Sequence, residues 1–153
     1  MRLKAGIQSL FIIWLLAACQ TATRLPYMTT TTNHEFILAP GQTIVVTDAD
    51  LTVAFHSILS DERCPSNVDC VFSGPVDVSI SAQKGDKPPA DITLQVFTDY
   101  NGRARAGLFG KITDRAGVGD CLIRIVGVTP YPKDQSTPIE PSEYRVAFLI
   151  TQY

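Results

Sequence analysis

Two cysteines beside an arginine and several acids are the residues of this chain best suited to chemistry. They lie in the stretch DERCPSNVDC, which runs from Asp61 to Cys70. Cysteine can act as a nucleophile, bind zinc or form a disulfide, and the redox compartment of the protein does much to decide among these roles. The N-terminus, where a targeting signal would lie, therefore has to be interpreted first.

The N-terminus reads MRLKAGIQSLFIIWLLAACQ, in which Arg2 and Lys4 precede an unbroken apolar run over 10–18. That run is far shorter than the roughly 20 residues of a membrane-spanning helix. A positive start followed by a short apolar core is typical of a secretory signal peptide. We therefore expect an exported protein.

The run ends in Leu16-Ala17-Ala18-Cys19, which resembles the lipobox of bacterial lipoproteins. This resemblance implies that residues 1–18 are removed and that Cys19 carries fatty acyl chains, palmitate among them, as a membrane anchor. Gln20 stands where an aspartate would favour the inner membrane in enteric-type bacteria, which implies an outer-membrane address facing the periplasm. A plain signal peptide with a chance cysteine, or an uncut membrane anchor, is the alternative.

Loss of the signal peptide removes two of the 13 basic residues, so 11 remain against 15 acidic residues. An acidic chain offers no electrostatic basis for binding nucleic acid. The segment 19–34, CQTATRLPYMTTTTNH, is polar and without periodicity, which indicates a flexible tether. We expect one domain over 35–153.

Apolar residues alternate with polar ones along most of this domain. The period of two is typical of strands with one buried face. About seven short strands separated by Gly, Pro and Asp predict an all-β, antiparallel β-sandwich, with a small β-barrel as the alternative. The clearest stripes are Leu51/Val53/Phe55, Val76/Val78/Ile80, Ile92/Leu94/Val96, Cys121/Ile123/Ile125 and Tyr144/Val146/Phe148/Ile150.

The stretch 98–120 is the least strand-like part of the domain. Asn101-Gly102 predicts a tight hairpin turn with a weak returning strand from Ala104 to Phe109. One long functional loop is the alternative.

In an exported protein, Cys64 and Cys70 are expected to form a disulfide that clips the loop between them. A metal site would recruit these cysteines with Asp61, Asp69 and His56. Five residues separate the cysteines, whereas structural zinc sites usually have two to four and a second ligand pair, so we expect no metal or cofactor.

Cys121 is the odd cysteine, and it shares the apolar face of a predicted strand. We expect a free, buried thiol that packs as a small hydrophobe. A catalytic pair with His56 as base would need an exposed, electropositive thiol. A disulfide from Cys121 to Cys64 or Cys70 remains open.

The cysteine loop resembles a motif of small exported bacterial proteins, many of them lipoproteins without an assigned function. In that group a strand runs into Asp-Ser-Arg-Cys-Pro, followed shortly by Cys-x-Trp-x-Gly. Glu62 replaces the usual serine here and Phe72 the usual tryptophan; the stretches IRIVGVTPYP and EYRVAFLI are also similar to that group's ending. The resemblance implies a β-sandwich and no particular activity. The matching residues are Asp61, Arg63, Cys64, Pro65, Val68, Cys70 and Gly74.

Arg63 stands among acids, and its guanidinium is expected to organise the loop by pairing with Asp61 or Asp69 and with backbone carbonyls. The alternative is that Asp61, Arg63 and Asp69 form a binding site.

Basic residues cluster in 98–120, where they could bind lipid phosphates or an anionic envelope polymer. A solvated loop surface is the simpler interpretation. The cluster comprises Arg103, Arg105, Lys111 and Arg115, with Lys84 and Lys87.

The sequence contains no Gly-x-Ser-x-Gly, His-Glu-x-x-His or phosphate-binding glycine loop. We therefore expect a non-enzymatic, membrane-anchored binding or structural module whose partner is an envelope protein, a polymer or a small ligand. The alternatives are a small exported hydrolase, and an inhibitor or periplasmic chaperone that presents the cysteine loop or an edge strand.

Overall fold

The computed structural model describes residues 28–105 and 113–153, which form two β-sheets. A short 3-10 helix, Pro141–Glu143, precedes the last strand. The strands are β1 Met28–Thr30, β2 Glu35–Leu38, β3 Thr43–Val46, β4 Leu51–Asp61, β5 Val76–Lys84, β6 Ala90–Val96, β7 Arg115–Val118, β8 Cys121–Thr129 and β9 Arg145–Gln152.

One sheet has the strand order β1-β3-β4-β5-β6 and the other β2-β9-β8-β7. Every pair is antiparallel except β1 with β3, which is parallel. The predicted β-sandwich is confirmed, and the sheets do not close into the alternative barrel. The described residues form nine strands where about seven were expected.

The core lies between the sheets and consists of the inward-facing side chains that the alternation predicted. Leu51, Val53 and Phe55 of β4 are fully buried, as are their counterparts on β5, β8 and β9. Phe148 of β9 connects the two sheets, with its ring 5.8 Å from that of Phe36 and 6.4 Å from that of Phe55. Burying each such side chain contributes about 1.5–3 kcal/mol to folding.

The folded domain begins earlier than the predicted boundary at Glu35. Residues 28–30, assigned to the tether, pair with β3. Thr32 donates from its backbone nitrogen and its hydroxyl to the carboxylate of Asp48, at 2.9 and 2.7 Å, and Asn33 donates to the carbonyl of Ile150. The threonines, which composition indicated as linker, are β-branched and so suit a strand once a partner edge is present. Residues 1–27, which include the expected signal peptide, Cys19 and most of the expected tether, lie outside the described residues.

The stretch 98–120 follows β6 in the chain and contains β7. Gly102 adopts a positive φ of 76° and donates to the carbonyl of Asp99, which closes the predicted turn. Ala104 bridges Thr98, and its nitrogen donates to Val126 of β8. The rest of the predicted weak strand, from residue 106 onward, lies outside the described residues. The single-loop alternative is wrong for Arg115–Val118, which forms β7 because it pairs with β8.

Candidate functional site

Arg63 is buried just beyond the end of β4, where one carboxylate and two backbone carbonyls hold its guanidinium. Nε donates to Oδ1 of Asp61 at 2.8 Å and Nη2 to Oδ2 at 2.6 Å. Nη1 donates to the carbonyl of Val128 at 2.9 Å, and Nη2 to that of Pro130 at 2.8 Å. The side chain of Arg63 is 0% exposed. Arg63 therefore ties the cysteine loop to the end of β8 and does not face solvent.

Two tyrosines complete the surroundings of this ion pair. The hydroxyl of Tyr144 donates to Oδ2 of Asp61 at 3.0 Å, and burial, together with the nearby Asp61 carboxylate, raises the pKa of Tyr144 to about 12. The ring of Tyr131 lies over the guanidinium, with its centroid 5.0 Å from Cζ, and its hydroxyl donates to the carbonyl of Cys64 at 2.8 Å. These contacts join positions far apart in the chain, which is why the sequence did not reveal them.

The predicted disulfide between Cys64 and Cys70 is confirmed, and Cys121 is free. The backbone of the clipped loop is fastened to a neighbouring segment: Ser66 donates to the carbonyl of Pro132 and Asn67 to that of Lys133. The loop is therefore fixed both within itself and against the chain that follows β8.

The end of the cysteine loop returns to its beginning at Gly74. The nitrogen of Gly74 donates to the carbonyl of Glu62 at 2.8 Å, and Glu62 donates in turn to the carbonyl of Pro75 at 3.0 Å. A Cβ at Gly74 would lie 2.5 Å from Cβ of Glu62, so only glycine fits this approach without a shift. Between these closures, Ser73 accepts a hydrogen bond from the nitrogen of Cys64.

Large apolar side chains are exposed on this fixed support. Val71 and Phe72, directly after Cys70, are 104% and 75% exposed. Tyr100, which is 68% exposed, stacks at a tilt against Tyr131, with ring centroids 5.2 Å apart. We use the name loop end for residues 61–75, 99–102 and 130–134, which these contacts join at one end of the sandwich. Sequence reasoning noted Phe72 only as a departure from a motif and did not single out Val71 or Tyr100.

Only two of the three residues proposed as a loop or binding site are in contact. Asp61 pairs with Arg63, whereas Asp69 is exposed and makes no salt bridge among the described residues. His56 is exposed on β4, next to a bulge between Phe55 and Ser57. Arg63 was expected to pair with Asp61 or Asp69 and with backbone carbonyls. It pairs with Asp61 and with the carbonyls of Val128 and Pro130.

Cys121 lies in an environment that suppresses thiolate formation. Its side chain is fully buried, and this burial raises the pKa of the thiol, although the Lys84 ammonium, with Nζ 3.7 Å from Sγ, opposes the shift. Lys84 itself forms a 2.7 Å salt bridge with Asp120 and donates to the carbonyl of Ala49. His56 lies on another sheet from Cys121, so the structure gives no support to a nucleophile and base pair.

Three of the six residues of the predicted basic cluster form ion pairs with neighbouring carboxylates. Arg103 forms a two-pronged ion pair with Glu35, at 2.9 and 3.1 Å, and Arg115 pairs with Asp114 at 2.8 Å. Lys84 is paired with Asp120, and Lys111 lies outside the described residues. Of the five described members, Arg105 and Lys87 form no salt bridge, so only two of these cations stay unpaired for an anionic polymer.

Residues 28–105 and 113–153 hold no group of three or more His, Cys, Asp or Glu side chains arranged to bind a metal ion. Across these same residues, no helix has the length and apolar character to cross a bilayer. The chain matches no known protein-family model, no curated protein and no solved structure. The candidate site therefore rests on its own geometry.

Proposed function

We propose that this protein is a lipid-anchored cell-envelope lipoprotein whose β-sandwich is a non-enzymatic binding module, with the loop end as its binding surface. The anchor is supported by Leu16-Ala17-Ala18-Cys19, with acylation at Cys19. Several acyl chains on one cysteine hold a protein durably on a membrane, since each buried CH2 contributes about 0.8 kcal/mol. Gln20 supports the outer membrane, with the domain facing the periplasm.

The observation that carries the binding role is the contrast between the buried supports of the loop end and its exposed apolar tip. The disulfide and the Arg63 contacts fix the loop, while Val71, Phe72 and Tyr100 project into solvent. Aromatic side chains on fixed loops are typical of binding surfaces, because little conformational entropy remains to be lost on association.

The small exported hydrolase is less well supported by the geometry. It would use loop carboxylates or His56, and His56 is exposed on β4. A Cys121 nucleophile with His56 as its base is disfavoured because Cys121 is buried with a raised pKa and lies on another sheet. An inhibitor or periplasmic chaperone that presents the cysteine loop would use the same loop end, so it is a special case of the binding module, whereas one that presents an edge strand would not.

The anchor and the binding surface are tested separately in native cells. Replacement of Cys19 by serine should move the protein from salt-washed membranes to the soluble fraction; continued membrane association would contradict lipid anchoring.

Cross-linking in native membranes should yield an adduct that is lost when Val71, Phe72 and Tyr100 are changed to serine. The matched control changes Ile37 and Leu59, two exposed apolar residues on strands outside the loop end. Equal loss in both variants would contradict the assignment of the binding surface.

A further inference from the structure

The loop end combines an apolar tip with a negative electrostatic field. Its three segments contain five acidic residues and two basic residues, so the formal net charge is −3. The one cation beneath the surface, Arg63, is already neutralised by Asp61. Glu62 and Asp69 are both exposed, close in sequence to Phe72. The acidic residues are Asp61, Glu62, Asp69, Asp99 and Asp134, and the basic ones Arg63 and Lys133.

This charge distinguishes among the surfaces that could receive Val71 and Phe72. A bilayer with anionic headgroups would receive apolar side chains but would repel the acidic residues around them. An anionic polysaccharide would be repelled in the same way. A protein pocket with an apolar floor and a basic rim is complementary in both respects, since interface electrostatics match positive to negative surfaces.

Phe72 is placed to be the side chain that enters such a pocket. It makes no hydrogen bond or ring contact with the rest of the described chain. On either side of it the chain is fixed, by the Cys64–Cys70 disulfide before and by the Ser73 and Gly74 hydrogen bonds after. Because the backbone around Phe72 is already fixed, only the side-chain torsions remain to be ordered when a partner buries the ring.

We infer that the partner of the loop end is a protein that buries Phe72 in an apolar pocket surrounded by Lys and Arg side chains. This inference rests on the proposed binding role of the loop end. It adds the class of partner, the anchoring residue and the sign of the partner's charge.

The test uses the full chain in its native membranes, with a benzophenone amino acid at position 71 as a photo-cross-linking probe. A second chain carries the same probe at position 59, where the exposed Leu59 lies on β4. We expect one discrete protein adduct from position 71 and none of that mass from position 59. Adducts with phospholipid alone, or the same protein adduct from both positions, would overturn the inference.

The cross-linked protein is then identified by mass spectrometry and purified, and its affinity for the chain is measured. Phe72→Ala should weaken binding about 30-fold, as for an interface anchor. The matched control Ile37→Ala should leave the affinity unchanged. An adduct from position 71 whose affinity is insensitive to Phe72→Ala would overturn the anchoring role but leave the loop end as a binding surface. No protein adduct at all would overturn both.

The sign of the partner's charge is measured on the same purified pair. Association should slow with rising salt, and Asp69→Lys should slow it about tenfold at low ionic strength, because the charges attract across the encounter distance. The control Asp91→Lys reverses an exposed acid on β6, outside the loop end, and should have a smaller effect. Faster association of Asp69→Lys would show a negatively charged partner and overturn the basic rim.

Discussion

Arg63 and Asp61 form a two-pronged ion pair, Nε to Oδ1 at 2.8 Å and Nη2 to Oδ2 at 2.6 Å, on which the loop end is built. The two residues are two positions apart in the chain. The remaining donors of Arg63 reach the carbonyls of Val128, on β8 of the second sheet, and of Pro130, just after β8. One guanidinium thereby fixes the start of the cysteine loop to the end of β8.

Loss of this ion pair should destabilise the fold. Arg63→Ala should lower the free energy of unfolding by about 3 kcal/mol, because it leaves the Asp61 carboxylate and two carbonyls without their partner. Arg63→Lys should recover only part of the loss, since an ammonium cannot make the planar two-pronged contact. Urea denaturation of the three proteins measures this. A urea unfolding transition of Arg63→Ala that coincides with that of wild type would show that Arg63 does not organise the loop.

The close approach at Gly74 should be intolerant of a side chain. Gly74→Ala should lower stability by about 1–3 kcal/mol, because its Cβ would meet the backbone and Cβ of Glu62. Gly117→Ala is the matched control: the nearest atom to its Cβ is the Tyr153 hydroxyl at 3.5 Å, an ordinary contact. Thermal melts should separate the two variants, and equal melting temperatures would contradict the packing at Gly74.

The disulfide should be detectable chemically. Peptide mapping without reduction should recover Cys64 linked to Cys70, and Cys121 should react with an alkylating reagent only after unfolding. Replacing both linked cysteines by serine should lower stability by about 2 kcal/mol, by the chain-entropy estimate for a small ring. A peptide that contains Cys121 in a disulfide would contradict the assignment.

Tyr144 should make stability depend on alkaline pH. Its pKa is 10.0 in an unfolded chain and about 12 in the fold, so between these values the folded state keeps a proton that the unfolded state has lost. The stabilisation that the protonated Tyr144 hydroxyl contributes is therefore fully present below pH 10 and is lost as the pH rises to 12. Denaturation across this range should show that the stability of wild type relative to Tyr144→Phe falls as the pH rises from 10 to 12. A difference that is independent of pH would contradict the buried, Asp61-bonded hydroxyl.

The strands that alternation predicted are those whose inner face is continuous. Leu51, Val53 and Phe55 mark β4 because each second side chain enters the core. The pattern fails at bulges: between Ile125 and Gly127 the register shifts, and Val126 is buried out of phase. Strand existence could therefore be predicted from the sequence, whereas bulges depend on the partner strand.

Two strands and most of the candidate site depend on pairing between distant residues. β1 has no apolar stripe and forms because the edge of β3 is available. β7 contains Gly117 and is defined by its pairing with β8. The bond from Tyr144 to Asp61 spans 83 positions, so composition and spacing carry no signal for it. The local pair of Arg63 with Asp61, by contrast, could be anticipated from adjacency.

The most direct test of the binding surface measures folding and partner capture on one variant, Phe72→Ala. The side chain of Phe72 is exposed and makes no hydrogen bond or ring contact in the described chain. The stability of Phe72→Ala should therefore stay within about 0.5 kcal/mol of wild type. Capture of the partner in native membranes should fall sharply in the same preparation. A variant that melts as wild type and captures the partner equally well would contradict the account of the loop end as a fixed support for an exposed binding residue.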